Sequence, residues 1–174
     1  TMQFVENLVS RKVRKKAILV QPGDVCHESY FVLSGCLASY VIDASGKEHI
    51  LQFAPENWMV TDLESFTKGT PAKTYVAAIE DSEFKVLPKS FFEEKANLDA
   101  DQLLLQNRKL INNIIAVNNR LMGVLGATAE ERYLEFIQLY PNLCPRLSVK
   151  LIASYIGITP EYLSEIRGKL TKGE

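Results

Sequence analysis

"LIASYIGITPEYLSEIRGKL", Leu151 to Leu170, reads as two short helices around a glycine turn. Ser148 stands where it can cap a first helix, VKLIASYI, which Gly157 ends. Thr159 then caps a second helix that opens with Pro160, whose missing N–H does no harm at a first helical position. A helix-turn-helix requires a small residue where the helices touch, a glycine able to take positive φ, and apolar residues clamping the pair. Ala153, Gly157, and Ile152, Ile156, Ile158, Leu163 and Ile166 meet those requirements in order. The bland alternative is an αα-hairpin packed on the core. Against it stands an outward face of Thr159, Pro160, Glu161, Tyr162, Ser164, Glu165, Arg167 and Lys169, which with Ser148 are the expected DNA contacts. From Pro160 to Leu170 the second helix would run about 16 Å, enough to lie in a major groove about 12 Å wide.

Charge gives this reading modest help. The 174 residues carry 20 Lys and Arg against 21 Asp and Glu, a net charge of −1, so any basic face must be local. From Arg146 onward five basic residues face three acidic ones, and binding should therefore lean on two subunits at once. The densest basic run, Arg11 to Lys16, is expected to be a solvated strand or loop before the first β-run.

Upstream, the chain divides into three expected regions: 1–98, 99–126 and 127–174. From Ala17 to Leu87, short alternating runs (AILVQ, YFVL, LASYVID, HILQFA, TYVAAIE, EFKVL) are separated by turn clusters at the spacing of a sandwich or small barrel of antiparallel strands. Ser90 and Glu93 are spaced as a capping box opening a short helix. A heptad stripe follows, with Leu103, Leu110, Ile114, Val117, Leu121 and Val124 apolar and Asn107 filling one position. It predicts a long dimerisation helix with Asn107 fixing parallel register. Alternatively, the stripe packs on the β half, helped by Ile111, Ile115 and Leu125. Gly126 is a natural hinge. Thr128 and Glu131 form a second capping box, Leu134, Phe136 and Ile137 are the expected buried face, and Pro141 stops the helix after Tyr140.

Other function classes find little support. Cys26, Cys36 and Cys144 are an odd number at unrelated spacings, and His27 and His49 are too few for a multi-histidine site, so no disulfide framework, metal or cofactor is expected. No nucleotide-binding glycine pattern or nucleophile motif occurs, which argues against an enzyme. No apolar run approaches the roughly 18 residues of a membrane span, and the first residues lack the features of a signal peptide. The expected compartment is the cytoplasm.

A β-rich half, a long helix, a hinge and a helix-turn-helix, together with "QPGD", "YFVLSGCL", "DASGKEHILQF" and "LIASYIGITPEYLSEIR", resemble the Crp/Fnr family of bacterial transcription regulators. The resemblance implies an α+β fold, with an N-terminal double-stranded β-roll (jelly roll) of the cyclic nucleotide-binding type. It also implies a homodimer on double-stranded palindromic DNA, RNA polymerase as a partner, and an effector or none acting through the central helix. "TDLESFTKGTPAKTYVAA" aligns with the family's phosphate-binding cassette, placing Thr61 and Asp62 at its Gly-Glu pair and Ala72 and Lys73 at its Arg-Ser pair. Thr61, Asp62, Lys73, Thr74 and Asn118 are the effector candidates. Ala72 removes the bidentate cation and Lys73 is only a point charge, so cyclic AMP is not expected to bind usefully. Glu165 falls where many members carry an arginine that reads guanine, and the strands that form a wing after the second helix are not expected before Glu174. These departures keep open a sensor whose terminal helices bind a protein instead of DNA.

Overall fold

The computed structural model describes residues 8–93 and 100–172. The chain forms two compact units that divide at Ala96 and Asn97. The expected boundary at 98 falls outside the described residues.

Among its described residues the first unit contains eight strands: β1 (Ser10–Val13), β2 (Ile18–Val20), β3 (Glu28–Ser34), β4 (Leu37–Ile42), β5 (Glu48–Ala54), β6 (Met59–Val60), β7 (Tyr75–Ala78) and β8 (Ser82–Pro88). They pair antiparallel in two four-stranded sheets, ordered β1-β8-β3-β6 and β2-β7-β4-β5. Residues from both sheets, including Val32, Phe84 and Val86 from one and Val20, Leu37 and Val76 from the other, join a single buried cluster. This is the expected β-roll. Its β3–β4 turn depends on Gly35, whose φ is +83° and where a Cβ would come within 2.4 Å of the Asp81 carbonyl oxygen. Only glycine fits both the dihedral and the space. The basic run, expected before the first β-run, instead contributes Arg11 and Lys12 to strand β1 and its other basic residues to the following turn, where Arg14 pairs with Asp81 at 2.9 Å.

Two short helices accompany the strands. Helix α1 (Leu63–Lys68) is an addition to the expected elements, although its signals are in the sequence: Asp62 caps its N-terminus and Gly69, at φ 70°, its C-terminus. Helix α2 (Lys89–Glu93) starts one residue before Ser90. Ser90 is therefore inside the helix and not its cap, because Pro88 ends β8 and the chain turns helical at once.

The second unit is helical. Helix α3 (Ala100–Gly126) ends at the expected hinge, and α4 (Ala129–Leu139) opens on a complete capping box between Thr128 and Glu131. Its buried face matches expectation only at Phe136: Ala129 and Tyr133 are inside with it, whereas Leu134 is 40% exposed and Ile137 half-buried. The i, i+4, i+7 spacing of the buried set marks one helical stripe, and Leu134 lies next to Tyr133 off that stripe. Helices α5 (Val149–Ile156) and α6 (Pro160–Lys172) complete the chain. No helix among the described residues is long and apolar enough to cross a membrane.

Candidate nucleic-acid interface

The α5–α6 pair is built as its residues dictate. The Ser148 hydroxyl accepts from the Leu151 N–H, and Gly157 closes α5 at φ +78°, a left-handed conformation that an L side chain rarely adopts. Both the Gly157 and Ile158 N–H groups donate to the Ala153 carbonyl. Thr159 Oγ1 then accepts from the Tyr162 N–H at 3.2 Å and opens α6. Ile152, Ala153 and Leu163 are fully buried, with Ile156 and Ile166 at 3% and 4% exposure, while Ile158 is half-buried. Burial of the larger aliphatic side chains, Ile152, Ile156, Leu163 and Ile166, is worth about 1.5–3 kcal/mol each, so the clamp is ample for so short a motif.

The clamp leaves the outward face uncovered. Ser148, Thr159, Glu161, Tyr162, Ser164, Glu165, Arg167 and Lys169 are exposed and Pro160 is half-exposed. Ser164 is already committed locally, donating to the Pro160 carbonyl at 2.9 Å. Glu161 at the start of α6 suits the positive end of the helix dipole. Arg167 and Lys169 sit towards the other end, so the face is mixed in sign along its length.

Along the predicted seam on α3, Ile114, Val117, Leu121 and Val124 are 55–62% exposed, and Asn107 is exposed. Ile111, Ile115 and Leu125 are exposed as well. The side chains of Leu103 and Leu110 lie outside the described residues. Asn118 is exposed on the same helix, in the second unit.

In the β-roll, the aligned cassette residues are brought together, and they engage one another. Asp62 is 5% exposed. Its Oδ1 accepts from the Ser65 N–H at 2.9 Å, and its Oδ2 accepts from the Lys73 N–H at 2.9 Å, the Thr74 N–H at 3.0 Å and the Thr74 hydroxyl at 2.9 Å. Burial pushes the carboxyl up, but these hydrogen bonds outweigh it and hold Asp62 below the ordinary carboxylate value. The Lys73 ammonium reaches Glu64 at 2.6 Å, and Lys68 joins the same carboxylate at 3.2 Å. Those bonds lower Glu64 and raise Lys73. The Thr61 hydroxyl donates to the Glu28 carbonyl at 2.9 Å. Ala72 is buried at 4% exposure, its N–H on the Asp24 carbonyl and its carbonyl on the Gly23 N–H. A buried methyl therefore occupies the position that the resemblance aligns with the cassette's arginine. The cassette closes on itself: Asp62 Oδ2 accepts three hydrogen bonds and Oδ1 one from within it.

The sequence reading missed the tie between α1 and the β2–β3 segment, in which Ser65 Oγ accepts from the Cys26 N–H at 2.8 Å. A serine three residues after an aspartate cap was the available signal. Of the other residues weighed, Cys26 and Cys36 are buried, Cys144 is half-buried, and His49 in β5 pairs with Asp43 of the β4–β5 turn at 2.6 Å.

Comparison with known proteins agrees with this architecture. Residues 10–99 match the family described as "Cyclic nucleotide-binding domain". The "Anaerobic regulatory protein" of Haemophilus influenzae is 26% identical over 187 residues, spanning 97% of this chain and 70% of that protein. Among solved structures, FixK2 from Bradyrhizobium japonicum superposes with a TM-score of 0.77 at 20% identity, covering 95% of this chain and 85% of that one. A transcriptional regulator of the CRP/FNR family from Thermus thermophilus gives 0.70 at 16% identity, covering 95% and 87%. The relatives are regulators, in keeping with the sparse enzymatic signals of the sequence.

Proposed function

The chain belongs to the cyclic nucleotide-binding domain family and, with its relatives, to the Crp/Fnr regulators, and from that premise we propose that it is a homodimeric transcription regulator of the cytoplasm that binds palindromic double-stranded DNA. The observation that carries this reading is the α5–α6 pair, with its scaffold residues buried and one whole side of α6 left exposed. At 13 residues α6 is about 20 Å long, sufficient to cross the major groove. The modest basic excess near it argues for two helices acting together, held by the α3 seam of Leu103, Asn107, Leu110, Ile114, Val117, Leu121 and Val124. Half-sites about 34 Å apart, one helical turn, follow from that arrangement. By family resemblance the dimer hands its signal to RNA polymerase.

The β-roll of this regulator uses no cyclic AMP. Support comes from the buried Ala72 methyl and from the Asp62 carboxylate, which already accepts four hydrogen bonds within the β-roll. Any effector acting on Thr61, Asp62, Lys73 and Thr74 would compete with the bonds these β-roll residues already make, whereas Asn118 is exposed on α3. A second reading, in which the terminal helices bind a protein, draws on the exposed Glu161 and Glu165. Selection of random duplex DNA by the purified chain at low salt separates the two. An enriched palindrome supports the regulator, and a confirmed dimer that enriches none, yet retains a defined protein partner, supports the second reading.

A further inference from the structure

Two arginines that the sequence reading assigned no role meet at the end of α5. That helix has no basic residue in its own last turn, so its terminal carbonyls need donors from elsewhere. The Tyr155 carbonyl accepts from Arg120 Nη2 at 3.0 Å, reaching across from α3. The Ile156 carbonyl accepts from Arg132 Nε at 2.9 Å, reaching from α4. Arg132 Nη1 also donates to the Ala127 carbonyl at 2.6 Å, immediately beyond the end of α3 at Gly126. The Arg120 guanidinium lies 4.1 Å from the centroid of the Tyr155 ring, and that ring packs on Phe136 and Tyr140 at 5.3 and 5.8 Å.

Each contact favours a cation. The C-terminal end of α5 carries the negative end of its dipole, and the Tyr155 face is electron-rich. Together they join the long helix, the hinge and the first helix of the DNA-binding pair at one point. A hinge ending in Gly126 would otherwise let α5 and α6 swing relative to α3.

We infer that Arg120 and Arg132 are positioning residues that latch the α5–α6 pair to the long helix and thereby set the distance between the two α6 helices of a dimer. This rests on the dimeric DNA-binding reading above. The latch specifies operator spacing, while the exposed residues of α6 specify base identity.

The test uses the full chain and the palindrome it selects, together with the same half-sites moved apart or together by one and two base pairs. Two base pairs add about 7 Å. The wild type is expected to lose on the order of tenfold in affinity at the altered spacings, a penalty comparable to that of one mismatched base pair. Arg120→Met combined with Arg132→Met keeps the aliphatic stems and removes the donors, and it should flatten the spacing profile while the half-site sequence and dimer mass stay unchanged. Arg120→Lys keeps the charge but not the fork, and it supplies an intermediate profile should the double variant fail to fold. A folded variant with the wild-type spacing profile overturns the latch alone. A wild type that selects no palindrome overturns the premise and the latch together.

Discussion

Replacing Asp62 with alanine should destabilise the β-roll far more than a surface substitution would. Three effects add. The N-cap bond to Ser65 is lost, about 1 kcal/mol, and the Lys73 and Thr74 N–H groups lose their acceptor, at about 1–3 kcal/mol for each group left unsatisfied. The sum is about 3–7 kcal/mol, and a unit of this size shifts by roughly 4–8 °C per kcal/mol, so the melting point should fall by about 12 °C or more. Trp58 is the chain's one tryptophan and lies between β5 and β6, so its fluorescence follows the β-roll. The pH dependence gives a second readout. Because the folded carboxyl sits below its ordinary value of 3.8, its contribution is present above that pH and is lost as pH falls through the folded value. Asp62→Asn has no such titration, so the gap between it and the wild type should narrow from pH 7 towards pH 3. An alanine variant melting within about 3 °C of the wild type at pH 7 would refute the idea that this carboxylate holds the cassette closed.

Cyclic AMP should leave the Trp58 melt unmoved. A ligand at a hundred times its dissociation constant adds about 2.7 kcal/mol, so a rise of several degrees would overturn the reading of Ala72 and Asp62. Leu121→Glu should weaken the dimer on the order of a hundredfold in sedimentation, since two buried leucines contribute about 3 kcal/mol or more, with no change in the Trp58 melt. A dimer of unaltered strength would show that the stripe is not the interface. Glu165→Arg should change base preference at one position per half-site, by about 1–3 kcal/mol in discrimination; an unchanged preference means that Glu165 points away from the bases.

What the sequence disclosed and what it withheld follow from the range of the interactions involved. The helix pair was legible because its requirements lie within about twenty residues: a cap at Ser148, a small residue at Ala153, a left-handed glycine at Gly157 and a second cap at Thr159. Alternation was enough for most of the strands for the same reason. Helix α1, at six residues, is too short to show a period, and only its caps give it away. Asp62 stands out as a cassette residue, but its use was not legible, because Lys73 and Thr74 return to it from 11 and 12 positions away. On α4 the buried residue is Tyr133 and the exposed one Leu134, so hydrophobicity alone points one position, a single 100° step, away from the face that packs.

The charge on α6 belongs to a different kind of evidence from its scaffold. Buried Leu163 and Ile166 constrain how α6 sits on α5 and leave no latitude for a polar residue. The exposed face carries no such constraint, and acids and bases there are compatible with the same fold. Glu161 and Glu165 therefore say nothing against the helix pair itself; they bear on which partner it meets. Glutamate accepts from a cytosine amine in the major groove and repels phosphate. A face with Glu161 and Glu165 towards one end and Arg167 and Lys169 towards the other is suited to putting its acids over bases and its cations over the backbone. That division is testable through salt: loss of Lys169 should lower affinity uniformly across sequences and reduce the salt slope by about one per subunit, about two for the dimer, whereas the Glu165 change should alter preference far more than the slope.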